Sequence, residues 1–139
     1  MKRAFFITIF IASYQIFFIG NALAWVKSQP TINGSFTVNL KCSSPFFVGR
    51  FQDCHVDILG LKHFRTGKKL KNISIILDGG MPKHAHGLPT APEIIWSNQQ
   101  STYQINGLKF SMPGEWQLRF YIEDKNYQLK DMVTFNFTI

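Results

Sequence analysis

Two histidines separated by one residue, His84 and His86, are the side chains in this sequence best suited to chemistry. In extended backbone, residues i and i+2 project to the same side, so the two imidazoles could meet on one metal ion. Neutral imidazole suits copper and zinc, whereas thioether sulfur is a soft ligand that favours Cu(I). Met81 lies three residues before His84, and Met112 occupies a second proline–glycine turn. Met81, His84, His86 and Met112 together therefore describe a candidate copper site. The same residues also permit a metal-free reading. Two histidines do not fill a coordination sphere. Glycine and proline in Gly79-Gly80-Met81-Pro82 and Gly87-Leu88-Pro89 could simply shape a long crossover, with both methionines packed in the core and His84 and His86 hydrogen-bonding the loop. His55 and His63 have no comparable neighbours and read as ordinary strand or surface histidines.

Other chemistries lack their residues. There is no G-x-S-x-G elbow, no H-E-x-x-H helix and no phosphate-binding glycine loop. Asp53 and Asp57 flank His55, but a carboxylate near a histidine on a strand is a routine surface pairing, so an enzyme is not expected. The chain carries 15 Lys and Arg against 8 Asp and Glu, a formal charge of +7. Its one basic run, residues 62–71, reads as a solvated hairpin turn whose lysines discourage edge-to-edge pairing. No nucleic-acid motif accompanies it, and nucleic acid is not an expected partner.

The first 24 residues read as a signal peptide. Met1-Lys2-Arg3 is a positive start, Ala4 to Gly20 is mostly apolar, and Ala22-Leu23-Ala24 offers a small-residue cleavage site. A retained anchor is the rival, but Ser13-Tyr14-Gln15 interrupts the apolar run that a span requires. Cleavage after Ala24 leaves one domain, residues 25–139, with a formal charge of +5 once Lys2 and Arg3 are gone. No stable membrane span is then expected. Export suits the two cysteines, Cys42 and Cys54, which are expected to form a disulfide because their spacing is far from C-x-x-C. That bridge would close a loop of about 13 residues, worth on the order of 3 kcal/mol in the chain-entropy view. Three N-x-S/T matches, at Asn33, Asn72 and Asn136, are read as chance.

The elements that must hold these residues are strands. Residues 35–42 alternate polar and apolar, as do 102–108, 115–122 and 133–139, and no amphipathic helix of useful length is found. Trp116, Leu118, Phe120 and Ile122 share one face, and odd-numbered residues from Val133 onward point inward. Residues 25–31 read as a poorly ordered lead-in. His55–Leu61 and Lys71–Leu77 read as an antiparallel hairpin around the basic turn. About seven short strands in this length predict an antiparallel, immunoglobulin-like β-sandwich with an aromatic core. The stretch from Asp78 to Pro92, between apolar runs on both sides, is then a shaped loop on a rigid scaffold.

Two segments carry a family resemblance. Residues 80–92, G-M-P-K-H-A-H-G-L-P-T-A-P, and residues 103–118, Y-Q-I-N-G-L-K-F-S-M-P-G-E-W-Q-L, resemble the two loop motifs of the YtkA-like (FixH-like) exported domains. Met81, His84, His86 and Met112 all fall on motif positions. The resemblance implies an immunoglobulin-like sandwich in a bacterial exported, periplasmic protein. It also implies a link to copper handling or to maturation of respiratory enzymes. A copper ion and another envelope protein are the expected partners, the latter in a metal-free docking role for the same loop face.

Overall fold

Strict alternation in the last two strands sets the architecture. In a computed structural model describing residues 24–43, 46–60, 73–125 and 128–139, β8 (Glu115–Asp124) buries Trp116, Leu118, Phe120 and Ile122. The facing residues of β9 (Leu129–Thr138), Val133 and Phe135, are buried with them. Residues between them in sequence face outward, as expected when one side of a sheet packs and the other is wet. Seven further strands complete the fold: β1 (Ala24–Pro30), β2 (Phe36–Ser43), β3 (Cys54–Gly60), β4 (Ser74–Met81), β5 (His86–Gly87), β6 (Glu93–Ser97) and β7 (Thr102–Asn106). They form two sheets, β1-β2-β3-β7-β6 and β5-β4-β8-β9, and every strand pair is antiparallel. The expected all-β sandwich is borne out, with nine strands among the described residues.

The core lies between the sheets. Phe36, Val38 and Leu40 of β2 and Val56 and Ile58 of β3 meet the inward residues of β4, β8 and β9. Cys42 and Cys54 are directly opposite one another in the β2–β3 register and are joined as a disulfide, both buried. At one end of the sandwich the core is aromatic. Phe110 packs at a tilt against Trp116 and edge-on against Phe137, and Phe46 fills the gap between Phe110, Phe137 and Trp25.

Two expectations about the strands are corrected. Residues 24–30 form an ordered strand at the edge of the larger sheet, paired along its length with β2. The Gln29-Pro30 step disfavours helix but is compatible with an edge strand, where a missing N–H is tolerated. The hairpin expected between residues 55–61 and 71–77 does not form. β3 pairs with β2 and β7, while β4 sits in the opposite sheet beside β8. The basic run and His63 lie outside the described residues, as does the apolar stretch read as a signal peptide. Among the described residues no helix is long and apolar enough to cross a membrane. Every described strand, both sheets and the disulfide lie within residues 24–139, so this segment holds the whole described fold.

Candidate metal centre

β4 carries the site. Its last residues, Gly79-Gly80-Met81, run close against β8 on one side and turn back as β5 on the other. The return is a tight hairpin: the N–H of His84 donates to the carbonyl of Met81 at 3.0 Å, with Pro82 at the position where its fixed φ suits a β-turn. Ala85 then takes a positive φ of 52°, and His86 pairs opposite Met81. The extended-backbone reason for expecting both imidazoles on one side is therefore replaced. A turn, not a strand, brings them together, and their ring centroids lie 6.3 Å apart.

Glycine is required where this hairpin closes. A Cβ on Gly80 would lie 2.5 Å from the carbonyl oxygen of His86, and one on Gly79 would lie 2.8 Å from the carbonyl oxygen of Gln117. Both obstacles are backbone, which cannot swing aside as a side chain can. Gly80→Ala is expected to cost about 2 kcal/mol through overpacking and to displace His86. Thermal melts and the NMR shifts of the two histidine rings would check both effects.

The second half of the site arrives from residues 108–114. Gly114 has φ 130°, and a Cβ there would lie 2.6 Å from Met81 Cε, so the Met81 side chain rests on the Met112-Pro113-Gly114 turn. Trp116 fixes that turn by donating its indole N–H to the Met112 carbonyl at 3.0 Å. Gly114 and Ile139 exchange two backbone hydrogen bonds of 3.0 Å, which pin it from the other side. Lys83 reaches Glu115 at 2.8 Å, an exposed pair of small energetic weight that still ties the histidine loop to β8. Past the histidines, Leu88 donates to the Gly79 carbonyl at 3.1 Å and the Thr90 hydroxyl to the Gly107 carbonyl at 2.6 Å. These two bonds fix the crossover from β4 to β6.

Met81, His84, His86 and Met112 are unequal as donors. Met81 is only 2% exposed and belongs to the core, and Met112 is half-buried. His84 and His86 are exposed, and among the described residues neither imidazole makes a hydrogen bond or an ion pair. Two imidazoles bound to one ion through bonds of about 2.0 Å place their ring centroids roughly 6.4 Å apart at most. The observed 6.3 Å sits at that limit, which corresponds to a nearly linear N–metal–N arrangement, and a third ligand requires the two rings to approach more closely.

The neighbouring carboxylate is committed elsewhere. Asp78 lines the same shallow groove as His86 and Met81, but it binds Arg119, whose Nε donates to Oδ2 at 3.0 Å. The Arg119 hydrogen bond, with the Gly79 N–H, holds the Asp78 carboxyl below its ordinary value, and Asp78 in turn raises the guanidinium. No group of three or more His, Cys, Asp or Glu side chains assembles among the described residues. A metal here would have two nitrogens and otherwise depend on methionine sulfur or on ligands from solution. That donor set fits copper, Cu(I) above all, better than a carboxylate-seeking ion.

The sequence matches the YtkA-like family over residues 34–120, a span that contains both loops. The chain belongs to the YtkA-like family. Among curated proteins none matches it. Among solved structures, this YtkA-like chain is similar to FetP from a uropathogenic strain of E. coli, recombinantly expressed in the periplasm of E. coli. The likeness covers 84% of this chain and 96% of that one at a TM-score of 0.60 and 10% identity, and so concerns the fold.

Proposed function

We propose that this YtkA-like protein is an exported, non-enzymatic β-sandwich of the periplasm that binds copper at the Met81–His86 loop and the Met112 turn. It would serve copper handling or the maturation of respiratory enzymes. One observation carries the reading: two exposed imidazoles, without hydrogen-bond partners among the described residues, stand 6.3 Å apart on a loop whose Met81 rests against the Met112 turn. His84 and His86 would supply the first two ligands, and Met112, the less buried sulfur, the third. Met81 would close the site from below if its sulfur is drawn outward. The disulfide supports an oxidising compartment, and the fold's likeness to a protein produced in the periplasm agrees with it.

A metal-free docking module that meets another envelope protein with the same loop face is the second reading. The depth of Met81 favours it, because that sulfur already serves as core packing. Titration of residues 25–139 with Cu(I) and Cu(II), beside a His84→Ala/His86→Ala variant, separates the two. The copper reading expects the variant to bind Cu(I) at least about a hundredfold more weakly, since two of its ligands are gone. Equal binding by both proteins, or none by either, would leave the docking module.

A further inference from the structure

The same end of the sandwich carries a second surface that copper does not use. Residues 46–52 form a loop from which Phe47, Val48 and Phe51 stand 46%, 40% and 69% exposed. Buried apolar side chains are the rule for residues of this size, so three exposed together on one loop call for a reason. The exposure is built in. Gln52 is buried and donates through Nε2 to the carbonyls of Phe47 and Arg50, each at 2.7 Å, and its Oε1 accepts from the Phe47 N–H. Backbone bonds from Gly49 to Phe110 and from Gln52 to Leu108, both 2.8 Å, fasten the loop to the segment that leads into Met112. The loop cannot fold its rings inward without breaking these.

Each exposed ring carries a cation. The Arg50 guanidinium lies 5.2 Å from the centre of Phe47, and the Lys109 ammonium 5.7 Å from the centre of Phe51. Asp53, next to the loop in sequence, faces His55 and Ser43. Apolar rings flanked by basic side chains are what an anionic bilayer surface recognises, the rings entering the acyl boundary while the cations stay among the headgroups. The chain's net positive charge adds long-range attraction to the same surface.

We propose that Phe47, Val48 and Phe51, with Arg50 and Lys109, seat this end of the domain on an anionic phospholipid bilayer, bringing the histidine loop close to the membrane. This inference does not depend on copper. Sedimentation of residues 25–139 with phosphatidylglycerol-containing vesicles should show binding that pure phosphatidylcholine vesicles do not support and that salt weakens. Arg50→Ser/Lys109→Ser should weaken it roughly tenfold or more, and Phe47→Ser/Phe51→Ser by a similar factor. Both pairs are at the surface, so thermal melts should stay near that of the parent. A Phe51→Trp variant provides a direct check: brominated lipid should quench its added fluorescence. Absence of vesicle binding, unchanged binding in both variants, or full competition by inorganic phosphate would overturn the proposal. So would capture of an acidic protein through this loop without any affinity for lipid.

Discussion

Replacing Asp131 by alanine is expected to lower stability by roughly 3–4 kcal/mol, seen as a fall in Tm of about 10–20 °C for a domain of this size. Asp131 is buried at the end of the sandwich opposite the histidine loop, where β9 passes the β1–β2 turn. Its Oδ2 accepts the Thr31 hydroxyl at 2.7 Å and the Ser35 N–H at 3.1 Å. Oδ1 accepts the N–H of Asn33 at 3.0 Å and that of Met132 at 2.9 Å. One carboxylate thus satisfies a turn's worth of backbone donors and ties the larger sheet to the smaller. Alanine would leave those donors buried and unpaired, which costs more than the bonds' net worth. Asparagine would also fail, because its amide nitrogen would face N–H groups in place of an acceptor oxygen.

The same residue sets an acid limit. Burial alone would raise the Asp131 pKa, but the Thr31 hydroxyl and the N–H groups of Asn33, Ser35 and Met132 outweigh it and hold the carboxyl below 3.8. A folded value below the unfolded one means the stabilisation is fully present above about pH 4 and is lost as pH falls through the lower, folded value. Asp78, held low by Arg119, adds in the same direction but weakly, since its carboxylate is exposed and Arg119 is partly solvated. Urea titrations from pH 6 down to pH 3 should therefore show a decline in the parent that Asp131→Asn largely lacks. Copper affinity measured at neutral pH on the folded variant should be unchanged, because the carboxylate lies at the far end of the domain.

How much of this was legible in the sequence follows from where each constraint resides. β8 and β9 were legible because one face packs on the other sheet and the other is wet, which prints period-two alternation on the residues. β1 was not, because no residue in it is fully buried: an edge strand held by its backbone carries little side-chain pattern. The partner of β4 was misread because a turn signal between two apolar runs implies a local hairpin, whereas packing between layers decided the pairing. At the candidate site, the nearness of Met81 to the Met112 turn was legible as two motifs and is met in space through Gly114. Three features had no usable signal. The Asp131 staple binds backbone groups about a hundred residues away, the His86 carbonyl seated over Gly80 is a matter of main-chain path, and Phe47 and Phe51 look like any core phenylalanine until the Gln52 brace turns them out.

Removing the disulfide by Cys42→Ala/Cys54→Ala is expected to cost about 3 kcal/mol, with most of the loss arising in the unfolded chain. The two cysteines are cross-strand neighbours of β2 and β3, so the bridge closes the short segment that includes the Phe47–Phe51 loop. In the folded state the register is already held by the β2–β3 ladder and by Val38, Leu40, Val56 and Ile58 beneath it. The bridge therefore limits the freedom of the unfolded chain more than it shapes the native one. Two buried methyl groups in place of two sulfurs add a smaller packing loss. Equilibrium unfolding in urea with and without reductant should give most of the shift of the double substitution, the remainder being the packing loss, with a larger m-value once the cross-link is gone. Both the copper titration and the vesicle assay should be unaffected under conditions where the variant remains folded. If either changed with the fold intact, the bridge would be shaping the loops it encloses, and its role would lie in the native state after all.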